Sequence, residues 1–562
     1  MIKRNNKKGF TIVELVIVIA VIAILAAVLI PTFAGIIKKA NISADTQLCK
    51  NMNTALSMAK AEGKSVDTME DVLFAINEAG YVIENLNPTT EGYYFAWDKK
   101  NGQILFLNEE LGLHYPEDAT LNPADCWITV LEADEITKVA TAGFSLYLEP
   151  GFSGNLTLNK LVSVDAGVNT VANLTITDTA TAGTIELRGS YTAATLNVPN
   201  ADVEQHGAIT NLTVTAVKDG TLKINGYVKT LAVAAGKVVV NNTGVIETIT
   251  EGAEKIDGAA STGLILDATD VTGYTAPTSV TINNKAELIA FRDAVNSGYT
   301  YNNNDTPVTV TLTADIDLAG VAWLPIGNVY RDNAGTNGAI AGFAGIFDGG
   351  NHTIKNLSNN GFSVDGLASG RNSSSVGDKN EIVFGLFGCV NGATIKNLTV
   401  NANIDDTGAQ YTGDAVAAIV GYAYGDGLVL ENCKATGSVT SYDNVGGLVG
   451  YCKANAGSAV TITNCTNEAT VTGTRKTGGI IGQLTRAKCD PEAAKVEATF
   501  SGCKATGKAT CLGREMDKDA TPNTSSNYYK CGQVAVVQPS VNCTVNGTAV
   551  VHNTDGSFAQ VN

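Results

Sequence analysis

Residues 10–30 constrain this chain more than any other stretch. Phe10-Thr11-Ile12-Val13-Glu14 opens an apolar run that continues to Ile30 and meets Pro31. Lys3, Arg4, Lys7 and Lys8 precede it. As a helix, these 21 residues are long enough to cross a hydrocarbon core of about 30 Å. The basic residues on the near side predict an N-terminus held in the cytoplasm and a remainder outside. Lys38 and Lys39 beyond the run do not reverse that bias. Glu14 is the anomaly, because a carboxylate costs roughly 2.5–3.5 kcal/mol at the centre of a spanning helix. It lies nearer the end and is penalised less, but it still needs a reason to be there. A secretory signal peptide has an apolar core of only about 7–15 residues and a small-residue cleavage site. Ala34 and Gly35 offer such a site, yet the length of the run and Glu14 argue against it. A plain membrane anchor is the other simple reading.

Lys7-Lys8-Gly9-Phe10, followed by Glu14 inside the apolar run, resembles the leader and first helix of type IV prepilins and pseudopilins. The resemblance covers the first 31 residues. It implies cleavage after Gly9 by a membrane prepilin peptidase and methylation of the new amine on Phe10. It also implies that Glu14 meets the N-terminal amine of a neighbouring subunit during filament assembly. Pro31 falls where many pilin helices carry a proline. The expected organisation begins with a leader over 1–9, a hydrophobic helix over 10–62 and a small α+β head over 63–115.

Beyond Pro31 the apolar positions Ile37, Ala40, Ala44, Leu48, Met52, Ala55 and Ala59 recur every three or four residues, one stripe of a continuing helix. Gly63 is its expected stop. Thr68 with Asp71 forms an imperfect capping box, with Asp in place of Glu. It predicts a second short helix through Met69, Val72, Leu73 and Ile76, closed at Gly80. Tyr93 to Trp97 and Gln103 to Leu107 flank an Asn101-Gly102 turn and read as a hairpin. Trp97 is expected in the core, with ligand stacking as the lesser alternative.

After the first hundred residues Thr, Asn, Val, Ala and Gly dominate, a composition suited to many short strands and turns. The fold class expected is mostly β: a transmembrane helix and pilin-like head, then a β-solenoid and a right-handed parallel β-helix. Residues 116–278 carry a loose theme: Asn155-Leu156-Thr157-Leu158, Asn173-Leu174-Thr175-Ile176, Asn211-Leu212-Thr213-Val214 and Thr230-Leu231-Ala232-Val233. Irregular repetition of short alternating strands predicts a solenoid, with a β-sandwich as the alternative. No chemistry is evident there.

Residues 279–562 repeat more sharply. Lys285 to Ser297 forms one amphipathic helix, expected to cap the open end of the stack. Then come Gly385-Leu386-Phe387-Gly388, Ala418-Ile419-Val420-Gly421, Gly447-Leu448-Val449-Gly450 and Gly479-Ile480-Ile481-Gly482, their last glycines 33, 29 and 32 residues apart. Asn397-Leu398, Asn432-Cys433, Asn464-Cys465, Cys503 and Asn542-Cys543 lie between and after them. Glycines are expected to supply the turn dihedrals and asparagines to stack at turns. Cys433, Cys465, Cys503 and Cys543 are expected to form one column of buried thiols. Eleven cysteines, an odd number, exclude a complete disulfide framework. Asp315-Ile316-Asp317-Leu318, Trp323-Leu324-Pro325-Ile326-Gly327 and Phe347-Asp348-Gly349-Gly350-Asn351-His352 precede these repeats. Together the segments resemble the GLUG-motif β-helix repeats of bacterial surface proteins, over about 280–545. The resemblance speaks to fold and only weakly to activity.

The net charge is −17; 38 basic residues less the four of the leader leave 34 against 55 acidic, or −21. Such a surface repels nucleic acid. A hydrolase on the β-helix would need two carboxylates about 5–10 Å apart. Asp315 and Asp317 share a strand face, Asp348 follows, and Asp405 and Asp406 lie in a turn. These acids most simply solvate turns and strand edges. Asp315, Asp317 and Asp348 are weak candidates for a calcium site. His114, His206, His352 and His552 have no metal spacing, and no serine nucleophile motif or phosphate loop is present. No cofactor and no catalytic activity are expected.

The reading is a cell-surface minor pilin or pseudopilin displaying a β-helix for adhesion. The partners expected are prepilin peptidase, other pilin subunits, the membrane, and glycans of host or environment, without nucleic acid. The alternatives are a surface polysaccharide lyase or hydrolase, and a pseudopilin of a secretion or DNA-uptake machine.

Overall fold

The computed structural model describes residues 12–81, 86–267, 271–275, 277–303, 306–321, 323–329, 340–359, 383–405, 415–486, 494–511, 531–532, 534–551 and 559–561. The chain is mostly β with a few helices. Helix α1, Ile12–Ala61, runs without interruption past Pro31. The expected stripe on it is shifted. Ile37, Ala40 and Ala44 stay exposed, and burial begins at Asp45 and continues through Cys49, Met52, Leu56 and Ala59. The reason is reach, since the head covers only this last part of the helix. Asp45 accepts the backbone N–H groups of Thr89 and Thr90 at 2.9 and 2.8 Å. Asn53 bonds both backbone groups of Ile104, at 2.9 and 2.7 Å.

Helix α2, Met69–Glu78, starts at the expected capping box, with Thr68 accepting from the Asp71 N–H and the Asp71 carboxylate accepting in return. Strands β1 (Tyr94–Asp98), β2 (Gln103–Leu107) and β3 (Leu113–Tyr115) form an antiparallel meander. Phe95, Trp97, Ile104 and Phe106 from this meander pack under α1 and α2.

The meander does not end at residue 115. Strand β4 (Cys126–Val130) pairs antiparallel with β1 and parallel with β5 (Ser145–Leu148), with α3 (Ala133–Thr141) between them. From there every pairing in this sheet is parallel. The ladder runs through β6 (Asn155–Leu158), β7 (Val164–Thr177), β8 (Gly183–Val198), β10 (Ala208–Val217), β12 (Tyr227–Val233), β14 (Val245–Glu251) and β15 (Leu264–Asp267). A second parallel ladder joins β8 to β9 (Ala201–Gln205), β11 (Leu222–Ile224) and β13 (Val238–Val240). An antiparallel sandwich is excluded for this segment. The repeated units align in register: Leu156, Leu174, Ala194, Leu212 and Leu231 form one buried column. Ala193-Ala194-Thr195-Leu196 is a rung that the sequence hides, because alanine replaces its leading Asn.

Helix α4, Lys285–Asn296, forms where expected, capped by Asn284. It does not close a free end. Its buried face shares a core with Tyr227, Val245 and Leu264 of the first sheet and with Val310, Phe347 and Phe387 of the second. Phe291 sits at the centre of this joint, with Tyr301, Phe343 and Phe347 rings 4.9, 5.5 and 5.8 Å away.

From residue 279 the chain visits three parallel ladders in turn and then returns one rung further on. One successive set is Val445–Gly446, Val449–Thr463, Thr466–Asn467 and Thr470–Gly473, before Thr477–Gly478 starts the next. The motif residues Phe387, Val420, Val449 and Ile481 align, and Ala535 is a fifth rung that the long insertion before it conceals. An antiparallel strand, Ala559–Val561, closes the stack.

Two sequence roles are exchanged. Asn397, Asn432 and Asn464 hold left-handed backbone at φ 51–52°, and Asn432 donates to Asn397 at 3.1 Å. The motif glycines have no positive φ. They are required by space. A Cβ on Gly450 would lie 2.4 Å from the Val416 nitrogen, and one on Gly482 would lie 2.5 Å from the Gly450 oxygen. Cys433, Cys465 and Cys503 do stack at the asparagine corner, with a Cys433 N–H to Cys465 Sγ contact of 3.4 Å. Cys543 does not belong to this column: it aligns with Ala498, and Asn546, at φ 49°, takes the corner. Cys49, Cys126, Cys389, Cys433, Cys452, Cys465, Cys503 and Cys543 are free.

Candidate functional site

The described side chains at the start of α1 are apolar and uncovered. Ile12, Val16, Ile19 and Ile22 are each more than half exposed, as are Phe33, Ile36 and Ile37. Glu14 occupies the first turn, where the partial positive charge of a helix N-terminus favours a carboxylate. Gly9 and Phe10 lie outside the described residues. Exposed apolar side chains in this number mark a surface that meets lipid or another protein. Among the described residues, no helix is long and apolar enough to cross a membrane. The side chains of 24–32, the second half of the run, lie outside those described.

The three acids considered for calcium are spent elsewhere. Asp315 accepts the Thr353 N–H at 3.0 Å and pairs with Lys355 at 2.9 Å and with His352 at 3.4 Å. The Lys355 hydrogen bond, followed by the Thr353 N–H, holds its carboxyl down to about 2. Asp317 accepts from the Ala319 N–H and from Asn356. At Asp348 burial pushes the carboxyl upward, but Asn397, the Gly350 N–H and Lys396 outweigh it and the net shift is down. Each carboxylate therefore ties one turn to the next rung. Asp315, Asp317 and Asp348 do not gather into a metal-holding group, and no cluster of three or more His, Cys, Asp or Glu side chains suited to a metal exists among the described residues. Asp405 caps a strand end, its backbone bonded to the Asn359 side chain; Asp406 and His552 lie outside the described residues.

The structure gathers a different set of charges. A narrow crevice under α2 is lined by Asp67, Thr68, Trp97, Lys99, Asp165 and Arg188, among others. Trp97 is in the core as expected, but its indole N–H is buried without a partner. Glu70 of α2, Asp165 of β7 and Asp293 of α4 approach here. Asp293 pairs with Arg292 at 2.7 Å, and Arg292 lies over Trp323 at 5.4 Å. Lys99 pairs with Glu186 at 2.6 Å, Arg188 with Glu186 at 2.9 Å, and Lys285 with Asp71 at 3.8 Å. Burial, and then the charge of Asp165, push the Glu70 carboxyl up to about 7. Burial is also the main cause that raises Asp165 and Asp293. Glu70 keeps surface open to solvent although three segments crowd it. The arrangement is a charged joint between head and body. The sequence analysis misses this joint; the one local trace of it is Arg292, which interrupts the apolar face made by Leu288, Phe291 and Val295.

Residues 4–30 match the prokaryotic N-terminal methylation motif. Over 60 residues the chain is 40% identical to the fimbrial protein of Moraxella nonliquefaciens, covering 11% of this chain and 39% of that protein. Over 92 residues it is 36% identical to the type IV wide pilus major component PilA4 of Thermus thermophilus, covering 16% and 64%. Over 317 residues it is 28% identical to halomucin of Haloquadratum walsbyi, covering 53% of this chain and 3% of that protein. The chain thus spans less than two thirds of the length of each of these relatives. Its N-terminal segment is type IV pilin-like and carries the methylation motif.

Proposed function

We propose that this chain is a minor pilin or pseudopilin, processed by prepilin peptidase after Gly9, that displays a large β-rich body at the cell surface for adhesion. The exposed apolar side chains of α1 from Ile12 to Ile22, inside the matched motif, carry the reading. Such a surface is stable in lipid before assembly and against neighbouring subunits afterwards. The helix would sit with its N-terminus in the cytoplasm, and the body would face outward. Phe10 would be methylated, and Glu14 would meet the N-terminal amine of the next subunit. We read the stacked rungs as a β-solenoid, and residues 279–562 as a right-handed β-helix of the GLUG type. In-register parallel pairing and corner asparagines support that reading. The body is assigned to binding rather than catalysis, and release of reducing or unsaturated ends from a polysaccharide would contradict that assignment.

Two variants test the proposal. Gly9→Val should leave the uncleaved precursor in the membrane, and normal cleavage would remove the central claim. Glu14→Ala should be cleaved yet poorly recovered in sheared filaments, and normal recovery would refute its assembly role. Co-purification with a secretion platform instead of filaments would shift the assignment from pilus to pseudopilin.

A further inference from the structure

The parallel ladder of residues 155–214 has an outer face that neither processing nor assembly uses. Inward alternation of Leu156 and Leu158, and of their partners on each rung, forces the residues between them outward. Thr157, Thr175, Thr195 and Thr213 therefore form one in-register column on the outside. Asn155, Asn173 and Asn211 form the next column, with Ala193 at the remaining rung. All are exposed or half-exposed, and across these four rungs the two columns carry no charged side chain. The sites are about 4.8 Å apart between rungs and about 6.7 Å apart along a strand.

Two details make this more than a solvated face. Among the described residues none of the four threonine hydroxyls has a protein partner, and their β-branched side chains hold few rotamers. Asn173 donates to Asn155 at 2.8 Å and Asn211 donates to the Thr192 carbonyl at 3.4 Å, so these amides are held as well. The result is a rigid, periodic, uncharged array on a chain of net charge −17.

We infer that this face docks an extended, neutral, β-linked polysaccharide laid across the rungs, a reading that rests on surface display. The charge match decides the class. A face with no cation does not suit nucleic acid or an anionic glycan. A face with no large apolar side chain lacks the anchors of a protein interface. Its step between rungs is on the scale of one sugar unit in an extended β-linked chain, so each hydroxyl and amide can meet the same group of successive sugars.

The test uses the full chain in detergent, sedimented with microcrystalline cellulose, chitin, granular starch or heparin beads. Binding to cellulose or chitin, with little to starch or heparin, is expected. The pair Thr175→Val and Thr195→Val removes two hydroxyls from β-compatible positions and should weaken fibre binding about tenfold, with an unchanged urea midpoint. Thr175→Lys with Thr195→Lys should abolish binding, while the control Thr548→Lys should not alter it. No binding by the native chain, or undiminished binding by the valine pair, would overturn the inference. So would slowed ice recrystallisation without fibre binding, which would assign the array to ice. Because Gly9→Val processing is scored separately, failure here leaves the pilin reading standing.

Discussion

Gly450→Ala tests whether the repeated glycines exist for space. The new methyl would sit 2.4 Å from the Val416 nitrogen, 2.7 Å from the Ala415 carbonyl carbon and 2.8 Å from the Gly421 oxygen, where ordinary contact begins at 3.4 Å. All three neighbours are backbone, so no rotamer change relieves the clash. The adjacent rung must retreat by roughly 1 Å, which overpacking series put at about 1–3 kcal/mol. That movement also stretches the bonds from Val416, Ala418 and Val420 to Asn444, Gly447 and Leu448, now 3.2, 3.2 and 2.9 Å long. Each contributes about 1 kcal/mol. A total loss of about 3–5 kcal/mol is expected, a large part of a domain's usual margin. The assay is urea unfolding of the full chain in detergent, followed by circular dichroism. The control is Gly154→Ala, whose methyl would meet only Phe152 at 3.8 Å and should stay within about 0.5 kcal/mol. Equal midpoints for the two variants would refute the spacing argument.

Further outcomes concern the charged joint and the thiols. The Glu70 carboxyl is pushed up to about 7 from an ordinary 4.5, so the folded chain binds this proton more tightly than the unfolded one. The stabilisation is complete below pH 4.5 and is lost as pH rises to about 7; after discounting for solvent screening it amounts to about 1 kcal/mol. Glu70→Gln should flatten the stability profile across that window, and an unchanged profile would sink the assignment. Burial pushes the thiols of Cys49, Cys126, Cys452 and Cys543 up to about 12, so they should ignore Ellman's reagent in the native chain and react once it is unfolded. Rapid native reaction, or silence after unfolding, would contradict the free, buried assignment.

What the sequence made legible was local or periodic. The Thr68–Asp71 box, α4 and the β1–β2 hairpin each depend on residues a few positions apart. The Leu-Thr-Leu alternation likewise marks the rungs without any knowledge of their pairing. Misreadings arose where the same letters serve two geometries. Asn542-Cys543 copies the corner motif but lies in a strand, and Asn546 turns the corner. Glycine implies freedom of φ, yet at Gly450 and Gly482 it is the missing Cβ that matters. The joint of Glu70, Asp165 and Asp293 was out of reach because its members come from three distant segments. Only the packing of α2 and α4 against the first sheet brings them together.

That packing also bears on how the body would be held in the display role proposed above. A tethered domain needs a polar, Gly- or Pro-rich linker and few crossing contacts. Here β4 pairs with β1 of the head on one edge and with β5 of the body on the other, so a single hydrogen-bonded sheet passes through both. Lys99–Glu186 and Lys285–Asp71 cross the same boundary. Bending it would break ladder bonds at about 1 kcal/mol each, whereas a linker would bend at almost no cost. The threonine and asparagine columns therefore keep a set direction relative to α1. Identical subunits sharing one helical packing would present those columns at regular intervals. Weak contacts repeated in that way add as avidity along a fibre, without any one site binding tightly.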